Sequence, residues 1–250
     1  MVQTVTCNTG TGPPRCAQPC TKGTPVDNDV LRQAPLFSAL DDEAAQALRS
    51  SMGETRLRRG EVLFREGDSG DKLYIVTDGK VKLGRTSSDG RENLLAILGP
   101  GQMFGELALF DPGPRSATVT AVTEAHFLSL SHEDMLRWLS GRPAVALGLL
   151  TQLASRLRKT NDAVADLVFS DVPGRVAKAL LDLADRFGRT ADDGVHVHHD
   201  LTQEELAQLV GASRETVNKA LADFTSRGWL RLEPRSVVIL DVERMKRRAR

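Results

Sequence analysis

The chain has no surplus of either charge: Lys plus Arg and Asp plus Glu both total 33 over 250 residues. No global field therefore draws it toward nucleic acid, a membrane surface or an acidic partner. It has no apolar run near the roughly 18 to 20 residues of a membrane span, and its N-terminus lacks the charged-then-apolar order of a signal peptide. A cytoplasmic location with no membrane contact is expected. Cysteine is scarce, and Cys7, Cys16 and Cys20 all precede the first apolar periodic segment. No disulfide framework can staple the remainder, so the fold must rest on packing. Large apolar residues are almost missing from Gly10 to Pro25. Residues 1–25 cannot bury enough surface to offset the entropy of ordering, and a disordered leader is expected there.

From Val30 to Met52 the residues Leu31, Leu36, Phe37, Leu40, Ala44, Ala47 and Leu48 recur at helical spacing, interrupted by Pro35 and restarted at Asp41-Asp42-Glu43. From Thr55 to Leu130 the pattern changes to short Val/Ile/Leu-rich runs separated by glycines, which predicts an all-β sandwich or barrel. Asp78-Gly79 and Asp89-Gly90 read as hairpin turns between neighbouring runs. Pro143 opens a long helix in which Leu150, Leu153, Leu157, Thr160, Val164 and Leu167 form an a/d seam, with Arg156, Arg158, Lys159 and Asp162 off the stripe. Such a seam suits a helix pair between two subunits; the alternative is packing on the helix's own domain. Thr160 in the seam needs a hydrogen-bond partner. Pro173 is expected to break the helix at a domain boundary and hinge.

The run Leu201–Leu221 combines a helix, a turn at Gly211 and a second helix. Thr202 with Glu205 makes a capping box, and Ser213 caps the second helix. Leu206, Leu209, Val210, Val217 and Leu221 are expected to face inward. Arg214, Glu215, Asn218 and Lys219 then lie on the outer face at the end that enters a major groove, and they are base-reading residue types. Thr202, Ser213 and Thr216 are placed to hold phosphates. Beyond them Glu233-Pro234-Arg235-Ser236 predicts a small hairpin, a wing with Arg235 near a DNA backbone and Trp229 in the core beneath it. Bulk charge lends no support: residues 171–250 hold 14 basic and 13 acidic side chains.

This run, with Gly211-Ala-Ser-Arg-Glu-Thr-Val217, resembles the Crp/Fnr family of bacterial regulators. The resemblance implies base contacts from Arg214, Glu215 and Lys219, with Lys219 at a position where other members carry Arg. It assigns no base to Asn218.

Within the β region, Phe104-Gly-Glu-Leu-Ala-Leu-Phe-Asp-Pro-Gly-Pro-Arg-Ser-Ala117 reads as a phosphate cassette. Gly105 permits close backbone approach, the turn after it aims amides at an anion, Arg115 offers a planar fork and Ser116 a hydroxyl. Glu106 beside an anion site makes sense if it accepts from a ribose hydroxyl. Leu95 and Leu107 are expected as walls. A cyclic nucleotide fits this set, and the cassette resembles the cyclic-nucleotide-binding domain of the same family; a degenerate pocket without ligand is the alternative. The turn Gly90-Arg-Glu-Asn-Leu94 and Gly174-Arg-Val176 extend the resemblance to the cyclic-AMP receptor branch found in actinobacteria. That branch implies adenine contacts from Thr160 and from Asn161, the latter reaching the partner subunit's ligand, with cyclic AMP favoured over cyclic GMP. It also implies half-sites of the TGTGA type, contact with RNA polymerase, and a translation start near Val26.

Two rivals remain at this point. Cys7, Cys16 and Cys20 could serve a redox or iron–sulfur input, although such clusters use four ligands. His196, His198 and His199 could form a metal site on a small barrel. No nucleophile–base pair can be assembled, so no enzymatic activity and no metal are expected. The sequence thus predicts an α+β protein. Residues 26–141 form a double-stranded β-helix (jelly-roll) cyclic-nucleotide-binding domain behind a leader at 1–25. Residues 142–170 are a dimerisation helix and hinge, and 171–250 a winged helix-turn-helix. Cyclic AMP would be the effector, and double-stranded DNA, a second copy of the chain and RNA polymerase the partners.

Overall fold

A computed structural model describes residues 32–34, 40–111, 113–140 and 142–249. The leader at 1–25, its three cysteines, and Leu31, Leu36 and Phe37 lie outside the described residues. Helix α1 (Asp42–Ser51) begins where the acidic run predicts: Asp41 is its N-cap and accepts the Ala44 amide at 2.8 Å. Eight strands follow: β1 (Gly53–Leu57), β2 (Val62–Phe64), β3 (Lys72–Asp78), β4 (Val81–Thr86), β5 (Glu92–Leu98), β6 (Met103–Phe104), β7 (Thr118–Ala121) and β8 (Ala125–Ser131). A single helical turn, α2 (Leu107–Phe110), lies between β6 and β7.

The strands form two four-stranded antiparallel sheets, ordered β1-β8-β3-β6 and β2-β7-β4-β5. Alternation along them supplies two faces. Val76, Val81, Leu98, Phe104, Val119 and Phe127 fill the jelly-roll interior between the sheets. Leu73, Ile75, Leu128 and Leu130 point the other way, onto Leu48, Met135, Val145 and Leu149 of the flanking helices. Asp89-Gly90 joins β4 to β5, which pair as expected. Asp78-Gly79 does not make a hairpin. β3 and β4 belong to different sheets, and the left-handed Gly79 (φ 78°) turns the chain across the gap between them. A Cβ there would strike the Glu124 backbone, so the close approach of β7–β8 demands glycine as much as the dihedral does.

Helices α3 (His132–Leu139) and α4 (Pro143–Phe169) come next. With 27 residues, α4 is about 40 Å long. Its first turns bury apolar side chains against the barrel, through Val145 and Leu149. The seam residues Leu150, Leu157, Val164 and Leu167 are exposed, Leu157 to 63%. The helix ends at Ser170 rather than at Pro173, which sits in the first turn of α5 (Val172–Phe187) behind the N-cap Asp171. A first-turn amide has no intrahelical acceptor, so proline costs nothing there.

The last region adds β9 (Gly188–Ala191), β10 (Gly194–His198), α6 (Gln203–Val210), α7 (Arg214–Ser226), β11 (Leu230–Glu233), β12 (Ser236–Ile239) and α8 (Val242–Arg248). Its sheet runs β11-β12-β10-β9. Strand β9 and helix α8 are additions to the sequence reading. Leu206, Val210, Val217 and Leu221 are buried as expected, with Val176, Leu180, Phe224 and Val237. Leu94, Ile97 and Val122 of the barrel join this same core, so the two regions share apolar surface.

Candidate functional site

The cassette closes around a recess that opens to solvent. Gly105, Glu106, Leu107, Arg115 and Ser116 all line it, joined by Phe64, Leu83 and Phe104. Gly105 has φ 80°, and a Cβ on it would lie 2.8 Å from Arg115 Nη1 and 3.0 Å from the Lys72 carbonyl. Gly70, unremarkable in sequence, is needed too: a Cβ there would collide with the Arg115 guanidinium. Arg115 is only 5% exposed. It donates to the Gly105 carbonyl at 2.9 Å and lies 4.2 Å over the Phe64 ring. Burial holds its guanidinium below the ordinary arginine value, against the pull of Tyr74, Asp71 and Glu106.

Glu106 is 1% exposed. Its Oε1 accepts from Arg156 Nη1 at 2.5 Å, and Arg156 also donates to the Met103 carbonyl. Arg156 therefore does not belong with the solvated residues off the seam. It reaches back from α4 into the recess, a role that helical spacing alone cannot reveal because the barrel is what it meets. Glu106 Oε2 and Arg115 Nε are buried and make no hydrogen bond within the protein. An unpaired buried acceptor and an unpaired buried cationic donor, carried by two residues that line one recess, fit a ligand with a hydroxyl and an anionic group.

Three expected residues stand elsewhere. Leu95 does not line the recess: a register shift pairs Leu83 with Ala96 and Gly84 with Leu94, leaving Leu95 at the bulge, 50% exposed. Leu83 lines it instead. Thr160 and Asn161 are exposed on α4. The Thr160 hydroxyl donates to the Arg156 carbonyl at 3.0 Å, which supplies the partner a seam hydroxyl needs.

Strand β4 and Lys80, the residue before it, face two ways. Leu83 lines the recess, whereas Lys80 and Lys82 reach the C-terminal region: Lys80 to Asp200 at 2.5 Å and Lys82 to Glu205 at 2.6 Å. Glu205 also completes the capping box, accepting the Thr202 amide at 2.8 Å while its own amide donates to the Thr202 hydroxyl at 3.1 Å. Burial would raise its carboxyl, but Lys82 and Thr202 hold it below the usual value.

The second helix of the pair, α7, presents Arg214, Glu215, Thr216 and Lys219 to solvent over the buried Val217, Ala220 and Leu221. Asn218 is half-buried, and its Oδ1 makes no hydrogen bond. Ser213 accepts the Thr216 amide at 3.2 Å, and the two hydroxyls lie 2.9 Å apart. Gly211 ends α6 in the left-handed conformation (φ 67°) that the turn requires. In the wing, Arg235 takes φ 57° and donates to the Asp200 carbonyl at 3.3 Å. Trp229 stacks on Phe224 at 5.6 Å beneath it, as core.

The three histidines have separate surroundings. His196 pairs with Asp193 at 2.6 Å, His198 is exposed, and His199 is buried with Nδ1 accepting the Leu201 amide at 3.1 Å. No group of three metal-ligating side chains occurs among the described residues. Burial pushes His199 down to about 4. The unfolded chain, with the ordinary value near 6.5, therefore takes up the proton first, and stability is lost as pH falls from about 6.5 to about 4. The loss expected from this residue is roughly 3 kcal/mol. His199→Asn keeps an acceptor and cannot titrate. Denaturant unfolding from pH 7 to pH 4 should show a flatter stability profile in the variant, and equal slopes would refute the assignment.

Residues 54–142 match the cyclic nucleotide-binding domain family, and residues 174–248 the Crp-like helix-turn-helix domain family. The chain is 54% identical over 223 residues to a CRP-like cAMP-activated global transcriptional regulator of Mycobacterium tuberculosis, covering 89% of this chain and 100% of that one. It is 38% identical to the cyclic AMP receptor protein of Thermus thermophilus, covering 84% and 94% of the two chains. Among solved structures, the c-di-GMP-responsive global regulator CLP of Xanthomonas campestris superposes with a TM-score of 0.69 at 26% identity, covering 80% of this chain and 99% of that one. With both domain families in this order and 54% identity along the whole length of a known regulator, the chain belongs to the Crp/Fnr family of transcription regulators.

Proposed function

We propose that this chain is a cyclic-AMP-responsive, homodimeric, cytoplasmic transcription regulator that reads a palindromic DNA site through the major groove. The observation that carries the reading is the Glu106–Arg156 pair at 2.5 Å. It ties the floor of the recess to the helix whose apolar seam is exposed, so a ligand in the recess acts on the surface where two subunits would meet.

In this reading Arg115 and Ser116 hold the cyclic phosphate, Gly105 lets it approach the backbone, and Glu106 accepts the ribose hydroxyl. Leu107 and Leu83 wall the recess. Thr160 and Asn161, one turn beyond Arg156, face the adenine, Asn161 that of the partner subunit. Ligand favours one arrangement of the α4 pair, and Lys82–Glu205 passes that arrangement to the first helix of the DNA-binding motif. The two copies of α7 then sit one duplex turn apart. Arg214, Glu215 and Lys219 read bases, while Thr202, Ser213, Thr216 and Arg235 hold phosphates. The working units are 26–141, 142–170 and 171–250, the half-site is of the TGTGA type, and RNA polymerase is the partner on DNA.

Titration of cyclic AMP, then of a TGTGA palindrome into the liganded protein, tests the reading. Cyclic AMP should bind more tightly than cyclic GMP and raise affinity for the palindrome. Arg214→Ala should weaken palindrome binding by about 1–3 kcal/mol and relax discrimination at one base pair per half-site. Failure of cyclic AMP to bind the folded dimer, or equal affinity of the liganded protein for palindrome and scrambled duplex, would overturn it.

A further inference from the structure

The region that must meet a polyanion is not itself positive until its last ten residues. Residues 171–240 hold nine Lys or Arg against eleven Asp or Glu, a balance of −2, whereas residues 241–250 hold five against two, a balance of +3. Much of the charge before that point is already committed. Arg231 pairs with Asp193 and Glu233, Arg227 with Asp223, and Lys178 with Asp166.

Helix α8 sorts its residues cleanly. Met245 is buried, and Val242 and Ala249 pack on the same core. Arg244, Lys246 and Arg247 are exposed. Arg244 and Lys246 have only surface pairs, to Asp241 at 3.4 Å and to Glu243 at 3.2 Å, of a kind worth little and readily exchanged. Among the described residues Arg247 makes no ion pair.

The placement of α8 gives these cations a use. Arg248 reaches Asp171, the N-cap of α5, at 2.5 Å, and its carbonyl lies 3.2 Å from where a Cβ on Gly174 would stand. The next residue, Arg175, donates to the carbonyls of Val210 at 3.1 Å and Gly211 at 3.3 Å. Gly211 is two residues before Ser213, the N-cap of α7. The end of α8, the start of α5 and the turn leading into α7 thus touch in succession. A major groove is about 12 Å across, so a helix seated in it has a phosphate row on either side, and surface beside its N-terminus lies along one of them.

We infer that Arg244, Lys246 and Arg247 form a phosphate-binding surface on the C-terminal helix, holding the DNA backbone beside each half-site without reading sequence. This rests on the major-groove reading of α7. Basic residues in a last turn also favour the helix dipole, but that role predicts a change in stability rather than in salt dependence.

The test compares wild type with the combined Arg244→Gln, Lys246→Gln, Arg247→Gln variant, full-length and with cyclic AMP, on a palindrome and on a scrambled duplex. Losing three phosphate contacts in each of two subunits lowers the salt slope by about 5.4, so the fall in affinity between about 50 and 200 mM salt should shrink by about three powers of ten on both duplexes. Arg244→Lys with Arg247→Lys should keep the wild-type slope. Should the triple variant unfold, Arg247→Gln alone, which removes one contact from each subunit, should lower the slope by about 1.8. An unchanged slope overturns the inference, and an unchanged slope with lost transcription would assign the surface to a protein partner instead. Failure of wild type to prefer the palindrome would refute base reading by α7 while leaving the slope comparison intact.

Discussion

Arg115→Ala should abolish saturable cyclic AMP binding at concentrations that fill the wild-type protein. Arg115 is the one guanidinium lining the recess from the cassette, and it is buried, so its charge meets the ligand phosphate away from solvent screening. Truncating one partner of such a pair costs about 2–5 kcal/mol, between about thirtyfold and several thousandfold in affinity. Arg115 also donates to the Gly105 carbonyl, so lost binding alone could reflect a loosened loop. Arg115→Lys separates the two causes: it keeps a charge without the planar fork and should bind with intermediate affinity. Calorimetric titration of the three proteins, with thermal unfolding to verify the fold, decides the matter. If Arg115→Ala binds within twofold of wild type, the cassette does not hold a phosphate.

Leu150→Glu combined with Leu157→Glu should convert the protein from dimer to monomer at micromolar concentration. Both leucines are more than 60% exposed on one chain, at successive a positions of a seam that continues to Leu167. Four carboxylates would meet across a two-fold axis, each uncompensated and taken out of water. A monomer holds one recognition helix, so it loses the advantage of tethering two half-site contacts, about two to four powers of ten in palindrome affinity. Val145 and Leu149, which hold α4 to the barrel, are untouched, so each subunit should keep its fold. Sedimentation and duplex binding together are diagnostic. A persistent dimer would place the interface elsewhere, and a monomeric wild type would remove the dimer from the mechanism.

How much of this was legible in the sequence depended on whether the signal was local. The capping box at Thr202 and Glu205, the left-handed Gly211 and the cap at Ser213 are interactions over three or four residues, and each forms as read. The cassette was legible for the same reason, since Gly105 to Ser116 is one short segment folded onto itself. Hairpins were half legible. Asp-Gly specifies a turn, but whether its flanking strands pair depends on which sheet each one joins, and Asp78-Gly79 crosses between sheets where Asp89-Gly90 does not. Leu95 was misplaced because a bulge in β5 breaks the alternation that an inside–outside reading assumes.

The sequence by itself determined the local parts: the two motifs, their order, the start of the seam helix and the residue types offered to anion and base. Those follow from dihedral preferences, caps and periodicity, which act over a few residues. Only the tertiary structure decided which distant residues share a site. Arg156 meets Glu106 across 50 positions and Lys82 meets Glu205 across 123, and Gly70 makes room for Arg115. Such pairings leave no periodic trace along the chain. They are set by how two sheets, a helix about 40 Å long and a second domain pack against one another.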